Sequence, residues 1–389
     1  MKPIKLVAPL LIFIPAIAYI PISIEIFKGL HIGGLNIIIL FITSALNPSL
    51  DLVIIKSGLE GIQITIAIAL ISWIISMLFG IILGVLSSDL LCKYIPNFSL
   101  FGKLIKYGLA FPRSIHEVIW GILFIQFLGL NVWVAVISIV IPYSALTARI
   151  VSEQLDSVEI NPLKALGSTG AKALPSLITF LFPKLIKIIS IYGSYRLECA
   201  IRGATLLGIF GLGGIGSELY LTLRSLEFRE MWTFLWLLFL VVIILEKITR
   251  SLRNNLLIDI NTRKSFFISL LIFIASLFLS LSLLHQLGFD IFIPFKYTDL
   301  TFPSLLEFRK VFDDLSLIKL TSNTVIITLL ASGVAIGTPP ILLLIFPDKL
   351  SLKLQSIIWI FFRLIPPPLT AIIILMFSSP NISVAALSL

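Results

Sequence analysis

The chain has 389 residues, 58% of them hydrophobic and only 13% charged, about half the charged share of an ordinary soluble domain. That leaves too little polar surface to cover a water-soluble globule, and several apolar runs reach the roughly 20 residues that cross a bilayer as a helix, so this is a polytopic membrane protein. The formal charge of +9 then reads as basic cytoplasmic loops and not as a nucleic-acid surface, while two cysteines and three scattered histidines offer neither a disulfide framework nor a metal cluster.

In chain order, the first apolar run is Ile4 to Phe27. It is too long for a signal peptide, holds Pro9, Pro15 and Pro21, and lacks a small-residue cleavage site, so it reads as a retained span. Leu35–Ile42 is too short to cross and reads as interfacial or folded back. Further spans are expected at Gln63–Leu86, Val118–Leu130 with its flanks, Trp133–Ala148 and Leu177–Tyr195. A short apolar region at Ala204–Leu219 and a span at Trp232–Leu245 follow. Lys2 and Lys5 precede the first span, Lys93, Lys103 and Lys106 follow the second, and no Lys or Arg occurs from Ser114 to Ala148. Arg149, Lys164, Lys172, Lys184 and Lys187 come next, then Lys247, Arg250, Arg253, Arg263 and Lys264. Clusters alternating across successive spans put the N-terminus in the cytoplasm. Arg196, Arg202, Arg224 and Arg229 break this pattern, which marks Arg196 and Arg202 as candidates for buried or cavity-facing charge.

An internal repeat is expected. LLIFI occurs at Leu10–Ile14 and again at Leu270–Ile274, and the stretch from Phe111 pairs without gaps with the stretch from Phe361. That pairing sets Arg113 against Arg363, Asn131 against Asn381 and Ala135 against Ala385. The expected division is a first unit over 1–250, a cytoplasmic linker over 251–265 and a partial second unit over 266–389. The second copy stops at Leu389 inside an apolar run, so the chain is expected to be incomplete relative to its own repeat.

Two stretches carry the chemistry. The cytoplasmic loop at about 156–176 holds Asn161 and Pro162 as a helix start, with Gly167 and Gly170 as its end. Leu163, Ala165 and Leu166 would form a small apolar knob, either docked in a partner's groove or belonging to an ordinary amphipathic loop helix. The second stretch, GIFGLGGIGSEL from Gly208, contains G-x-G-x-x-G at Gly211, Gly213 and Gly216. A dinucleotide site needs a soluble strand–turn–helix context for that spacing. Here the flanks are apolar, and the glycines fit a broken membrane helix with closely packed backbones. Arg202 and Thr205 share a helix face and are candidates for lining an anion path. Equally, Glu198 and Arg202, at i and i+4, form a structural ion pair. Arg113 reads as an interface anchor, and His116–Glu117 as a polar point in the cavity.

The loop resembles the signature of ABC-importer permeases, Glu-Ala-Ala, three residues, Gly, nine residues, Ile-x-Leu-Pro. Lys164-Ala165-Leu166, Gly170, Phe180, Phe182 and Pro183 fall on those positions, with Lys164 where the family has Glu. The later stretch resembles phosphonate-type permeases in Tyr195, Arg196, Glu198, Ile201, Arg202, Thr205, Leu207 and Gly208, then Gly211, Gly213, Gly214, Ile215 and Gly216. RSIHEVIWGILF from Arg113 looks like that family's third span, with His116 where Pro is usual and Pro366 in the second copy.

The resemblance implies an all-α, type I-like importer permease in the inner membrane, with about six spans in the first unit. It implies import of phosphonate, phosphite or phosphate. The loop residues Leu163, Lys164, Ala165, Leu166 and Gly170, with Pro183, would couple to an ATPase subunit present in two copies. A periplasmic or lipid-anchored binding protein would supply substrate, and a second permease chain would complete the pore if the repeat does not. The candidate path residues are Arg202, Thr205, Glu198, Arg196, His116, Gly211, Gly213 and Gly214. No cofactor is bound directly, since the chain contains no G-x-x-x-x-G-K-[ST] and ATP with Mg would sit in the partner. The alternatives are a permease for an amino acid or quaternary amine, or a degenerate subunit that does not transport.

Overall fold

The sequence is rich in long apolar runs without the period-two alternation of half-buried strands, and it folds as helices. The computed structural model describes residues 15–30, 32–94, 98–159, 161–258, 262–287, 316–346, 348, 354–355, 359, 365, 367–376 and 378–388. The first LLIFI copy, His31, Phe361, Arg363, Pro366 and Leu389 lie outside them. A short 3-10 turn at Pro15–Ala18 leads into α1 (Tyr19–Gly29), α2 (Ile32–Leu46), α3 (Leu52–Leu86), α4 (Asp89–Tyr94) and α5 (Ser99–Gly108). Then come α6 (Ala110–Ser114), α7 (Glu117–Leu128), α8 (Val132–Asp156), α9 (Asn161–Ser168), α10 (Ala173–Leu207) and α11 (Ile215–Arg224). The remainder is α12 (Phe228–Ile258), α13 (Thr262–Gln286), α14 (Ser316–Ile345), α15 (Pro367–Leu375) and α16 (Ile382–Ser388). Among the described residues no strand forms, only an isolated antiparallel bridge between Leu30 and Ser378.

Among the described residues, four stretches are long and apolar enough to cross a membrane: Leu52–Cys92, Val132–Asp156, Phe228–Ser251 and Leu317–Leu343. Two bent pairs raise the number to six if each counts as one span. These are Ser99–Ser114 with Glu117–Leu128, at 84°, and Ile191–Leu212 with Ile215–Arg224, at 56°. The second pair corrects the expected segmentation. Leu177–Tyr195 and Ala204–Leu219 are not separate elements, because one helix runs from Ala173 through Pro183 to Leu207. Helix likewise occupies most of the expected linker, with α12 reaching Ile258 and α13 starting at Thr262.

The chain divides into two compact units. One comprises Leu50–Ser225 with Thr233–Asp299, the other Met1–Ser49, Leu226–Trp232 and Leu300–Leu389. In the larger unit, Asp51 caps α3 by accepting from Val53 N (3.0 Å). The helix then packs along α8, its most extensive neighbour, and also on α10, α11 and α13. A Cβ on Gly84 would lie 2.6 Å from Val151 Cβ, so the two backbones approach as only small residues permit in a membrane helix pair. Trp73 on α3 donates to Gly193 O on α10 (2.8 Å) and its ring stands 6.4 Å from Phe273 of α13. Asn131 caps α8 by accepting from Trp133 N (3.1 Å).

In the smaller unit α14 packs on the 3-10 turn and on α16, and α16 also meets α1. Ser383 Oγ donates to Glu25 Oε2 (2.5 Å), and the Tyr19 hydroxyl meets Thr338 Oγ1. Asn381, which the expected repeat sets against Asn131, accepts from Val384 N (2.8 Å) at the head of α16.

Candidate functional site

The glycine-rich stretch forms the break between α10 and α11. After α10 the chain makes one π-helical turn at Gly208–Leu212, and Gly211, Gly213 and Gly214 then take φ values of 87°, 89° and 86°, left-handed angles that glycine alone adopts freely. Close contact adds a second demand for glycine. A Cβ on Gly216 would lie 1.9 Å from Thr205 O. The amide of Ile215, at the head of α11, donates to Thr65 Oγ1 (3.0 Å), and that hydroxyl donates to Gly61 O (2.9 Å). The Ile215 amide is therefore satisfied from within the chain and is not an open donor for an anion. Gly211 is exposed and Gly213 half-buried at the edge of the break.

About three turns before the break, α10 carries Arg196, which is only 8% exposed. Its Nε donates to Tyr192 Oη (2.8 Å), and its guanidinium carbon lies 4.5 Å from the centre of the Tyr143 ring and 5.3 Å from that of Tyr192. Aromatic faces attract the cation. No carboxylate lies within 4.0 Å of it among the described residues. Tyr143 extends the cluster, since its hydroxyl donates toward both Glu117 Oε1 (3.2 Å) and Cys199 O (3.1 Å). Glu117, the first residue of α7, is buried, while exposed His116 caps that helix and places Nδ1 3.4 Å from Glu117 Oε2. Three helices thus gather a guanidinium, a carboxylate and two phenols in one buried polar cluster. The expected polar point at His116–Glu117 belongs to it.

Arg202 and Thr205 do not join this cluster in the way a shared face suggested. Arg202 Nη2 lies 3.4 Å from Glu198 Oε1, the ion pair that i, i+4 spacing favours. Its Nε is buried with no hydrogen-bond partner among the described residues. Thr205 is 1% exposed and spends its hydroxyl on Ile201 O (2.9 Å) of its own helix. Its backbone carbonyl is what Gly216 packs against, so its part is structural. Tyr143 and Tyr192 went unmarked in the sequence. Tyr192 stood one turn from Arg196 and was in principle readable, whereas Tyr143 reaches Glu117 and Cys199 only through tertiary packing.

The loop over about 156–176 contains the expected short helix, α9. Its apolar knob needs correction. Leu163 is completely buried, packed with Leu90, Leu91, Val151, Leu155, Leu177 and Leu181 of the chain itself. What α9 leaves outward is Lys164 and Ala165, with Leu166 half-buried. Gly170 ends the turn at φ 82° and its amide donates to Gly167 O (3.1 Å). Pro183 lies exposed within α10.

No protein-family model matches the sequence. Among curated proteins it is 28% identical over 108 residues to PhnE2 of Escherichia coli K12, named for a cryptic phosphonate transport system permease. That match spans 28% of this chain and 88% of the relative. It is 23% identical over 200 residues to the phosphite transport system permease PtxC of Stutzerimonas stutzeri, spanning 51% of this chain and 71% of PtxC. Among solved structures it overlaps an inward-facing form of the MetNI methionine ABC transporter with a TM-score of 0.45 and 17% identity, over 52% of this chain and 99% of that one. In architecture the chain is an all-α, polytopic membrane protein, and in sequence it is related to the permeases of phosphonate and phosphite transport systems.

Proposed function

We propose that this chain is the membrane-spanning permease of an ATP-driven ABC importer for phosphonate or a related phosphorus oxyanion, phosphite or phosphate. The observation that carries the reading is the sequence relationship to permeases named for phosphonate and phosphite transport. ATP, with Mg, binds and is hydrolysed in a separate ATPase subunit present in two copies, and a periplasmic or lipid-anchored binding protein delivers the solute. The N-terminus is cytoplasmic, as the alternation of basic clusters requires. Two permease units surround the path, supplied by residues 1–250 and 266–389 or by a second chain. The helix-capping asparagines at the paired positions Asn131 and Asn381 support the duplication.

In this reading the ATPase grips the outward side of α9 at Lys164, Ala165 and Leu166, while Leu163 fastens α9 to the permease. ATP binding closes the ATPase pair and moves the loop, and Gly170 gives the loop its turn. A tetrahedral oxyanion is costly to desolvate. Arg196 supplies a buried positive charge with no carboxylate in direct contact among the described residues, Glu117 being reached only through Tyr143. Arg202, held by Glu198, adds a weaker field, and Gly211, Gly213 and Gly214 keep the helix broken beside the path, with His116 at its margin. A quaternary amine would need free aromatic faces, and at this cluster Arg196 already lies over the Tyr143 and Tyr192 rings, where its charge would also repel that cargo.

The test uses the full chain with its ATPase and binding protein in proteoliposomes, measuring ATP hydrolysis with phosphonate, phosphite or phosphate. Stimulation by at least one oxyanion is expected, and Gly170→Asp should abolish it, since a side chain at φ 82° is strained. No stimulation by any of the three oxyanions would refute the substrate class.

A further inference from the structure

Apart from the Arg196 cluster, the larger unit contains a cavity of about 160 Å³ lined by Lys106, Arg113, Arg149, Glu153 and the two serines Ser87 and Ser152. It lies where the ends of α3 and α8 meet α5 and α6. A buried water needs about 10–15 Å³ on this measure, so a hydrated tetrahedral group fits. Three of its lining side chains are cationic and one is acidic, with Asp89 and Asp156 beside Lys106 just outside the lining, so what distinguishes the cavity is unused donors and not net charge. The partners of those cations leave donors unused. Arg149 gives Nε to Glu153 (2.6 Å), which leaves both Nη groups. Lys106 Nζ lies 3.2 Å from Asp89 Oδ2 and 3.6 Å from Asp156 Oδ2, which leaves a third N–H. Arg113 makes no hydrogen bond or ion pair among the described residues. Ser152 is already committed to Ser87 O (3.3 Å), and Ser87 to Gly84 O (3.2 Å), so the cations are the open donors.

The surroundings place this cavity at the level of a membrane surface. On α5 and α6, Leu104, Tyr107 and Phe111 are 69%, 76% and 65% exposed, while Lys106 on the other side turns inward to the two aspartates. An amphipathic segment of this kind lies in the interface plane. The basic flanks of α3 and α8 put that interface on the cytoplasmic side.

We infer that this cavity is a cytoplasmic-side phosphoryl site in which the guanidinium groups of Arg113 and Arg149, with Lys106, hold the oxygens of one phosphate. Arginine forks match phosphate oxygens in pairs, which an ammonium alone does not. The phosphate is either that of an anionic phospholipid headgroup or inorganic phosphate. The site is separate from Arg196 and stands whether or not the proposed cargo is right.

The full chain in phosphatidylcholine nanodiscs is titrated with inorganic phosphate by calorimetry. In detergent, it is titrated with phosphatidylglycerol and with phosphatidylcholine by native mass spectrometry. Saturable binding is expected in one arm. Phosphate binding identifies the free anion, and preference for phosphatidylglycerol over phosphatidylcholine identifies the headgroup. Arg113→Gln should weaken that binding about tenfold or more, the loss expected for a charge-assisted pair, while Arg224→Gln, an exposed cation on α11 away from the cavity, leaves it intact. Arg149→Gln with Glu153→Gln removes a cation together with its carboxylate, and should also weaken binding if Arg113→Gln does not fold. Absence of saturable binding in both arms, or binding undiminished by either change at the cavity, overturns the inference. So does binding lost only with Arg196→Gln.

Discussion

A methyl group has nowhere to go at Gly216. Its Cβ would sit 1.9 Å from a backbone carbonyl, and backbone atoms on both sides of the seam cannot swing aside as a flexible side chain would. Gly216→Ala should therefore lower the folded yield and melting temperature sharply. Gly108→Ala, where nothing lies within 4 Å, should be close to wild type in the same fluorescence-detected melt. At Arg196, replacement by Gln removes the one buried cation of the cluster. Uptake of radiolabelled phosphonate should fall about tenfold or more, and retention of full uptake would exclude Arg196 from the path. The sequence made both residues legible for different reasons. Arg196 stood out as a charge inside an apolar run, and the glycines by their spacing. It did not reveal Tyr143, whose contacts are with residues 26 and 56 positions away, or the occupation of the Ile215 amide by Thr65, which is 150 positions distant.

At the scale of elements, α9 separates two roles that neighbouring residues share. Leu163 fills the chain's own core, so Leu163→Ala should destabilise the protein by about 2–5 kcal/mol, visible as a lower melting temperature of the permease alone. Lys164 is exposed, and Lys164→Glu should leave that melt unchanged while raising oxyanion-stimulated ATP hydrolysis in the assembled complex, if the family's acidic residue is the better contact. Apolar residues at helical spacing announced α9, but amphipathicity says only that one side is buried, not whether in the same chain or in a partner. The joining of two expected segments into α10 has a similar cause. Lys184, Lys187 and Arg196 lower the local hydropathy and mimic a boundary, although the helix runs on to Leu207 and the break comes only at Gly208–Gly214. Pro183 did not end the helix either, because a proline costs its own hydrogen bond and bends a helix without always stopping it.

For the whole molecule, composition settled the class directly: so few charges leave only a lipid-covered surface. Sidedness is checkable at α9. In a Cys92→Ala, Cys199→Ser background, Lys164→Cys should react with a membrane-impermeant maleimide only from the side that accepts the ATPase. Labelling from the opposite face would invert the topology. Long-range division was less legible, because the compact units are assembled from separated stretches and apolar repeats carry little information about which helix packs on which. The contact of Gly216 with Thr205 has a mechanical consequence for the unit that contains it. The 35 residues of α10 amount to a rod of about 52 Å at 1.5 Å per residue, with the α9 loop at one end and the seam at the other. Touching backbones leave no gap at that joint, so a displacement of α10 along its axis would have to carry α11 with it.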